Sequence, residues 1–272
     1  MVGAPIRHSL SPVLHRAAYA ELGLADSWAY DAHEVTEASL PAFLDGLDGS
    51  WRGLSLTMPL KRTVVPLLDA MSGRAEQAQA ANTLVLADGR RTGHNTDVPG
   101  IAAAVRERYA GPVDRALVLG GGATAASALL GLADLGCRQV TLVVRDETRA
   151  AATVATAARH PAAPEVVVRR AGGPPLGPVD IVVSTIPAAA QDADVLDLAA
   201  AVPVVFDVIY DPWPTPLGRS VADTPGRVFV SGLDLLVHQA VLQLELMTGV
   251  PTGPLEAMRR AGEAALAARG RG

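Results

Sequence analysis

Short apolar runs separated by longer Ala-rich stretches fill the second half of the chain. Residues 116–119 (Ala-Leu-Val-Leu) are one such run and predict a buried strand. Gly120, Gly121 and Gly122 follow, and an Ala-rich helical stretch covers 123–135. A strand at 140–144 and a helix at 147–159 come next, with further strands expected at 166–168, 181–184, 204–208 and 228–230. Such an alternation gives parallel pairing with right-handed crossovers. A strand, a glycine turn and a helix start in succession aim backbone N–H groups at a pyrophosphate, so the layout is one for nucleotide binding.

The first half is mixed. A helix is expected at 12–22, stopped by Gly23, and a short strand at 54–57. Runs at 83–86 and 91–93 flank Asp88-Gly89, a strong hairpin signal. A helix at 99–109 should cross between the halves, and the tail is helical at 233–246 and 254–268. The Pro/Gly-rich stretch 172–178 reads as a surface turn, because strands resume at once. The fold class is therefore α/β with two α/β domains and a cleft between them. Residues 1–97 with 233–272 form one domain and 98–232 the dinucleotide-binding, Rossmann-like one.

Composition narrows the classes. The 272 residues are 49% hydrophobic and carry a net charge of −5, which does not suggest a nucleic-acid or membrane surface. Cys137 is the only cysteine, so neither a disulfide within the chain nor a thiolate metal cluster can form. The six histidines show no metal-ligand spacing, and no metal is expected. No apolar run approaches the ~20 residues of a membrane span, no secretory signal is evident, and the expected location is the cytoplasm. A homodimer is a candidate assembly that the sequence does not decide.

Three segments could carry chemistry. In Gly3-Ala4-Pro5-Ile6-Arg7-His8-Ser9-Leu10-Ser11-Pro12, Ser9 and Ser11 would point the same way in extended chain, and Pro12 favours that geometry for Ser11. Two hydroxyls at a helix start could grip a carboxylate; alternatively, Ser11 only caps the helix. In Ser55-Leu56-Thr57-Met58-Pro59-Leu60-Lys61, Thr57 and Lys61 leave a strand end. Lys61 could be a plain surface charge, yet it is the only lysine of the chain. Arginine does not give up its proton at working pH, whereas desolvated lysine can, which makes Lys61 an acid–base candidate. Asn82 could be a turn residue or a ligand contact. Asp97, in Asn95-Thr96-Asp97, could be a helix cap or an acid–base group, and His94 reads as exposed loop.

The ordered set of motifs resembles the shikimate dehydrogenase family nearly end to end. It runs P-I-x-H-S-x-S-P, S-L-T-M-P-L-K, A-N-T-L, N-T-D, the glycine turn, S-T-I-P-A at 184–188, Phe206-Asp207-Val208-Ile209-Tyr210, and Pro212-Trp213-Pro214-Thr215-Pro216-Leu217. Ser231-Gly232-Leu233 and Leu235-Leu236-Val237-His238-Gln239-Ala240 close it. The resemblance implies reduction of 3-dehydroshikimate, a small ring hydroxy acid, to shikimate by NADPH. By that resemblance Ser9 and Ser11 hold the carboxylate, and Lys61 and Asp97 face the reacting hydroxyl. Thr57, Asn82, Tyr210 and Gln239 make the remaining ring contacts. Gly120, Gly121, Gly122, Ala123, Thr124, Val208, Gly232 and Leu235 line the cofactor.

Arg145 and Arg149 match the two arginines that take the 2′-phosphate, so NADP is expected, with NAD as the alternative. The chain departs from the family pattern in four places. Val144 replaces an asparagine, Asp146 and Glu147 add negative charge near the phosphate, Ser55 stands where many members have asparagine, and Ala123 replaces a glycine. Only Met1 and Val2 precede Gly3, where members have a full strand, so either the start site is assigned too late or the first sheet lacks most of a strand. A missing strand would leave neighbouring backbone unpaired. Quinate or aminoshikimate dehydrogenase, and a ligand-sensing paralogue without catalysis, are the competing readings.

Overall fold

The computed structural model describes residues 1–170, 177–222 and 224–269. Most of the turn read at 172–178 therefore lies outside the described residues. The chain divides into two compact units, Met1–Thr96 with Leu236–Gly272, and Asp97–Leu235.

Among the described residues the first unit holds six strands: β1 (Val2–Gly3), β2 (His33–Glu34), β3 (Gly53–Ser55), β4 (Ala70–Met71), β5 (Thr83–Ala87) and β6 (Arg90–His94). β1 and β2 pair in parallel, and the other four form a sheet in the order β3-β5-β6-β4. β5 and β6 make the expected hairpin. Asp88 and Gly89, its two central residues, have φ of 51° and 72°, the left-handed pair that a twisted two-residue hairpin turn requires. Val2, Leu40, Leu54, Leu56, Leu60 and Leu84 pack into one core here. Three strands (β1, β2, β4) and the helices Leu40–Asp45, Leu60–Thr63 and Gly73–Ala78 are too short to show a hydrophobic period.

Two expectations change in this unit. The strand read at 54–57 stops at Ser55, and Leu56 keeps only an isolated bridge to Val2. Short as β1 is, the carbonyls of residues 1–3 pair with neighbouring segments. Met1 C=O accepts the His33 amide (2.9 Å), Val2 C=O the Thr57 amide (3.0 Å) and Gly3 C=O the Val35 amide (3.0 Å). Val2 is fully buried.

The second unit holds β7 (Arg115–Leu119), β8 (Gln139–Val144), β9 (Glu165–Arg170), β10 (Ile181–Ser184), β11 (Val204–Asp207) and β12 (Val228–Val230). All six are parallel, in the order β12-β11-β10-β7-β8-β9. Counted from β7, this is the 3-2-1-4-5-6 order of a Rossmann sheet, whose direction of growth reverses between β7 and β10. Both faces of β7 are buried. Ala116 and Val118 join one core cluster, and Leu117 and Leu119 join the other, as the two-residue period demands.

The helix read at 147–159 forms only as a 3-10 turn at Thr148–Ala150 followed by Ala151–Ala157. Asp146 takes both the amide (3.0 Å) and the hydroxyl (2.6 Å) of Thr148, which tightens the first turn. The helices Ala193–Ala199 and Pro216–Ala222 were not legible, being seven residues each. The last two helices are Gly232–Thr248 and Leu255–Arg269. No helix among the described residues is long and apolar enough to cross a membrane.

Candidate active site

In the first unit the chain leaves β3 and turns at Thr57, whose C=O accepts the Leu60 amide at 2.8 Å. Lys61 is the second residue of the helix that starts there, and it is half-buried. Its C=O accepts the Ala81 amide at 2.8 Å, which ties the lysine backbone to the strand entrance next to Asn82. Asn82 is 1% exposed. Its Oδ1 accepts the Thr96 amide (2.8 Å) and the Thr83 hydroxyl (3.0 Å). Its Nδ2 donates to Thr96 Oγ1 (2.9 Å) and Gln239 Oε1 (3.2 Å). Asn82 is thus no turn residue: it joins β5, the segment leading to Asp97, and the helix Gly232–Thr248. Gln239 in turn donates to Leu236 C=O at 2.9 Å.

The two serines sit differently from the expectation. Leu10 has φ −91° and ψ −6°, so the stretch is not extended, and Ser11 opens the helix Ser11–Glu21 as its first residue instead of capping it. Ser9 Oγ accepts the Ser11 amide at 3.2 Å. Ser11 is 4% exposed, and its C=O meets His15 Nδ1 at 3.0 Å. His15 is fully buried, and burial lowers its pKa to about 4. His94 is not exposed loop. It pairs with Thr83 as the last residue of β6, and half-burial lowers its pKa.

Asp97 and Tyr210 belong to the second unit. Asp97 is 4% exposed and opens the helix Asp97–Arg108, directly after the Thr96 peptide that Asn82 holds. Tyr210 follows β11 and is half-buried. Three residues earlier, Asp207 is fully buried and accepts Gln191 Nε2 at 2.8 Å and the Ile209 amide at 3.3 Å. Burial raises the pKa of this carboxyl.

The glycine turn lies at the point where the sheet order reverses. Gly120 has φ 106°, and a Cβ there would sit 2.4 Å from Thr185 Oγ1. Thr185 is itself fixed, donating its hydroxyl to Leu119 C=O at 2.8 Å. Gly121 C=O accepts the Thr153 hydroxyl at 2.6 Å. Gly122 is the extended N-cap of the twelve-residue helix Ala123–Asp134, with no side-chain cap. A Cβ on Gly122 would meet nothing within 4 Å. A helix start whose N-cap carries no side chain, with open space at the N-cap itself, fits a pyrophosphate. Ala123 and Thr124 begin that helix.

Gly232 approaches the end of β11 so closely that a Cβ would lie 2.4 Å from Val208 C=O. Val208 packs against the core, and Leu235 is a core residue at 6% exposure. Arg145 is exposed just past β8. The side chain of Arg149 lies outside the described residues. The acidic neighbours are engaged elsewhere, Asp146 with Thr148 and Glu147 with Arg170 at 3.8 Å.

This sheet order, with a glycine turn at its reversal, defines the class: a Rossmann-type, dinucleotide-binding protein. Comparison with known proteins narrows the class. The profile "Shikimate dehydrogenase substrate binding domain" matches residues 1–84, and "Shikimate 5'-dehydrogenase C-terminal domain" matches 232–261. A shikimate dehydrogenase (NADP(+)) of Thermosynechococcus vestitus is 34% identical, over 98% of this chain and 94% of its own. The crystal structure of Mycobacterium tuberculosis shikimate dehydrogenase superposes with a TM-score of 0.85 at 40% identity, covering 97% of each chain. A more distant neighbour, Corynebacterium glutamicum quinate dehydrogenase in complex with NAD, has a TM-score of 0.80 at 26% identity over 97% of each chain. The chain belongs to the shikimate dehydrogenase family.

Sequence reasoning missed Tyr30 and Gln243 as members of the buried polar cluster. Gln243 carried a usable signal: it lies four residues after Gln239 in a helix that is otherwise largely apolar, so both amides share one face.

Proposed function

We propose that this chain reduces 3-dehydroshikimate to shikimate with NADPH, reversibly, using Lys61 and Asp97 as its acid–base pair. The observation that carries this reading is the buried amide cluster of Asn82, Thr96 and Gln239, joined through the backbone to Lys61 on one side and to Asp97 on the other. Buried amides that hold one another in fixed orientation suit recognition of a polyhydroxylated ring.

NADPH, when bound, supplies the hydride that reaches the C3 carbonyl carbon. The Lys61 ammonium stabilises the charge that develops on the C3 oxygen and donates its proton there. Asp97 is its acid–base partner. The Ser9 and Ser11 hydroxyls hold the ring carboxylate, and Thr57, Asn82, Tyr210 and Gln239 hold the remaining ring groups. Gly120, Gly121 and Gly122, with the amides of Ala123 and Thr124, receive the pyrophosphate. Arg145 and Arg149 take the 2′-phosphate. Asp146 turns toward Thr148 and Glu147 toward Arg170, which leaves both acids with partners other than the arginines proposed for the phosphate. Cys137 is buried as a free thiol, in keeping with a cytoplasmic enzyme.

The test is an initial-rate assay at 340 nm. Lys61→Ala should lower kcat by roughly 10²–10⁴-fold with KM for shikimate little changed; near wild-type kcat removes Lys61 from the reaction. Running shikimate, quinate and aminoshikimate against NADP and NAD in the same assay separates the shikimate reading from the quinate and aminoshikimate ones.

A further inference from the structure

We propose that Gln243 is a positioning residue for the ring acid: its amide holds the backbone carbonyl of Asn82, steers the Thr83 proton onto Asn82 Oδ1 beside the Thr96 amide, and sets the direction of the proton at Ser55. This inference rests on the assignment of Asn82 and Gln239 to the ring.

Gln243 is 2% exposed. Its Nε2 donates to Asn82 C=O and to Thr83 Oγ1, both at 3.0 Å. A backbone carbonyl can only accept, so the amide nitrogen must lie on that side. Oε1 then faces Ser55 Oγ at 2.8 Å, and Ser55 must donate to it. With its single proton committed, Ser55 must accept from the Tyr30 hydroxyl at 2.6 Å. On the other side, Thr83 Oγ1 accepts from Gln243 and passes its own proton to Asn82 Oδ1. The Thr96 amide, a donor only, points at the same oxygen. Asn82 is left with one orientation, Oδ1 toward Thr83 and Thr96, Nδ2 toward Gln239.

The chain of contacts extends further. The Tyr30 ring stacks on His15 with centroids 4.0 Å apart and planes at 15°, and His15 meets the Ser11 carbonyl. One buried path therefore links the serine proposed for the carboxylate to the amides proposed for the ring hydroxyls, with Gln243 at its centre. Ser55, the departure from the family's asparagine, is a member of this path. Its hydroxyl is held from both sides by Tyr30 and Gln243.

The experiment compares Gln243→Met, of similar length without hydrogen bonding, Gln243→Glu, and Asn82→Ala in steady-state kinetics. Gln243→Met should raise KM for shikimate about tenfold with KM for NADP+ unchanged and kcat within about threefold. In Gln243→Glu only the protonated carboxyl can donate to Asn82 C=O. KM for shikimate, relative to wild type, should therefore be near unity at low pH and climb as the pH is raised. At a residue that merely filled space, ionisation of the buried carboxyl would lower stability, kcat and affinity for both substrates together, and not raise KM for shikimate alone. Should Gln243→Met fail to fold, the Glu variant decides alone. If Asn82→Ala raises KM for shikimate while both Gln243 variants stay within twofold at every pH, this inference falls and the site assignment stands. If Asn82→Ala also leaves KM unchanged, both fall. A parallel loss of kcat and of affinity for both substrates would mark Gln243 as structural only and overturn the proposal.

Discussion

Gly120→Ala asks why the turn after β7 needs a residue without a side chain. The backbone there has φ 106°, and holding a non-glycine residue in so sparse a region costs about 1–3 kcal/mol. The added Cβ would also sit 2.4 Å from Thr185 Oγ1 and 3.2 Å from Ile186 Cγ2. To relieve that overlap the Thr185 hydroxyl must leave Leu119 C=O, a bond of 2.8 Å, at a cost of about 1 kcal/mol. Together these give about 2–4 kcal/mol, or roughly 4–16 °C in Tm for a unit of this size. The two parts separate in a double-mutant cycle. In a Thr185→Ala background the overlapping oxygen is gone, so Gly120→Ala should cost only the backbone part, with a coupling of about 1 kcal/mol. Urea unfolding of the four proteins measures this. Alongside it, KM for NADPH should rise in Gly120→Ala, because the turn that shapes the pyrophosphate site must shift. A Gly120→Ala protein within about 0.5 kcal/mol of wild type, or an equal cost in both backgrounds, refutes the argument from close approach.

Gly122→Ala is the converse case: its Cβ meets nothing in the protein, so stability should stay within about 0.5 kcal/mol while KM for NADPH rises, and an unchanged KM would mean the pyrophosphate lies elsewhere. Gly3→Ala would bring a Cβ to 2.3 Å from Thr57 Cγ2 and 2.9 Å from Met58 C=O; it should cost about 1–3 kcal/mol and raise KM for shikimate through Thr57, and wild-type values of both would show that the Thr57 turn yields freely. His15 has a folded pKa of about 4, below its ordinary 6.5, so between those values the unfolded chain takes up a proton that the folded one refuses. Stability is therefore lost as pH falls from 6.5 toward 4, by roughly 3 kcal/mol at 1.36 kcal/mol per unit, and His15 adds no pH dependence above that window. Denaturant unfolding at pH 7 and pH 4 should show a smaller loss for His15→Phe than for wild type, and parallel losses would contradict the assignment.

Features that depend on near neighbours along the chain were legible before any packing was known. The strand–glycine–helix segment at 116–135 was legible because hydrophobic run, turn and helix start follow one another within twenty positions. The Asp88-Gly89 hairpin was legible because its turn needs two left-handed residues, and these two supply them. β1, β2 and β4, two residues each, carry no period to read, and their pairing comes from partners elsewhere in the unit. Whether Ser11 caps its helix or opens it stayed undecided, because local spacing cannot say on which residue a helix begins; the structure opens it there. The buried polar cluster belongs wholly to the tertiary structure. Tyr30 finds Ser55 across 25 positions and Ser55 finds Gln243 across 188. A buried hydroxyl or amide must be paired wherever it lies, but which partner arrives is settled only when β3, β5 and the helix Gly232–Thr248 pack together.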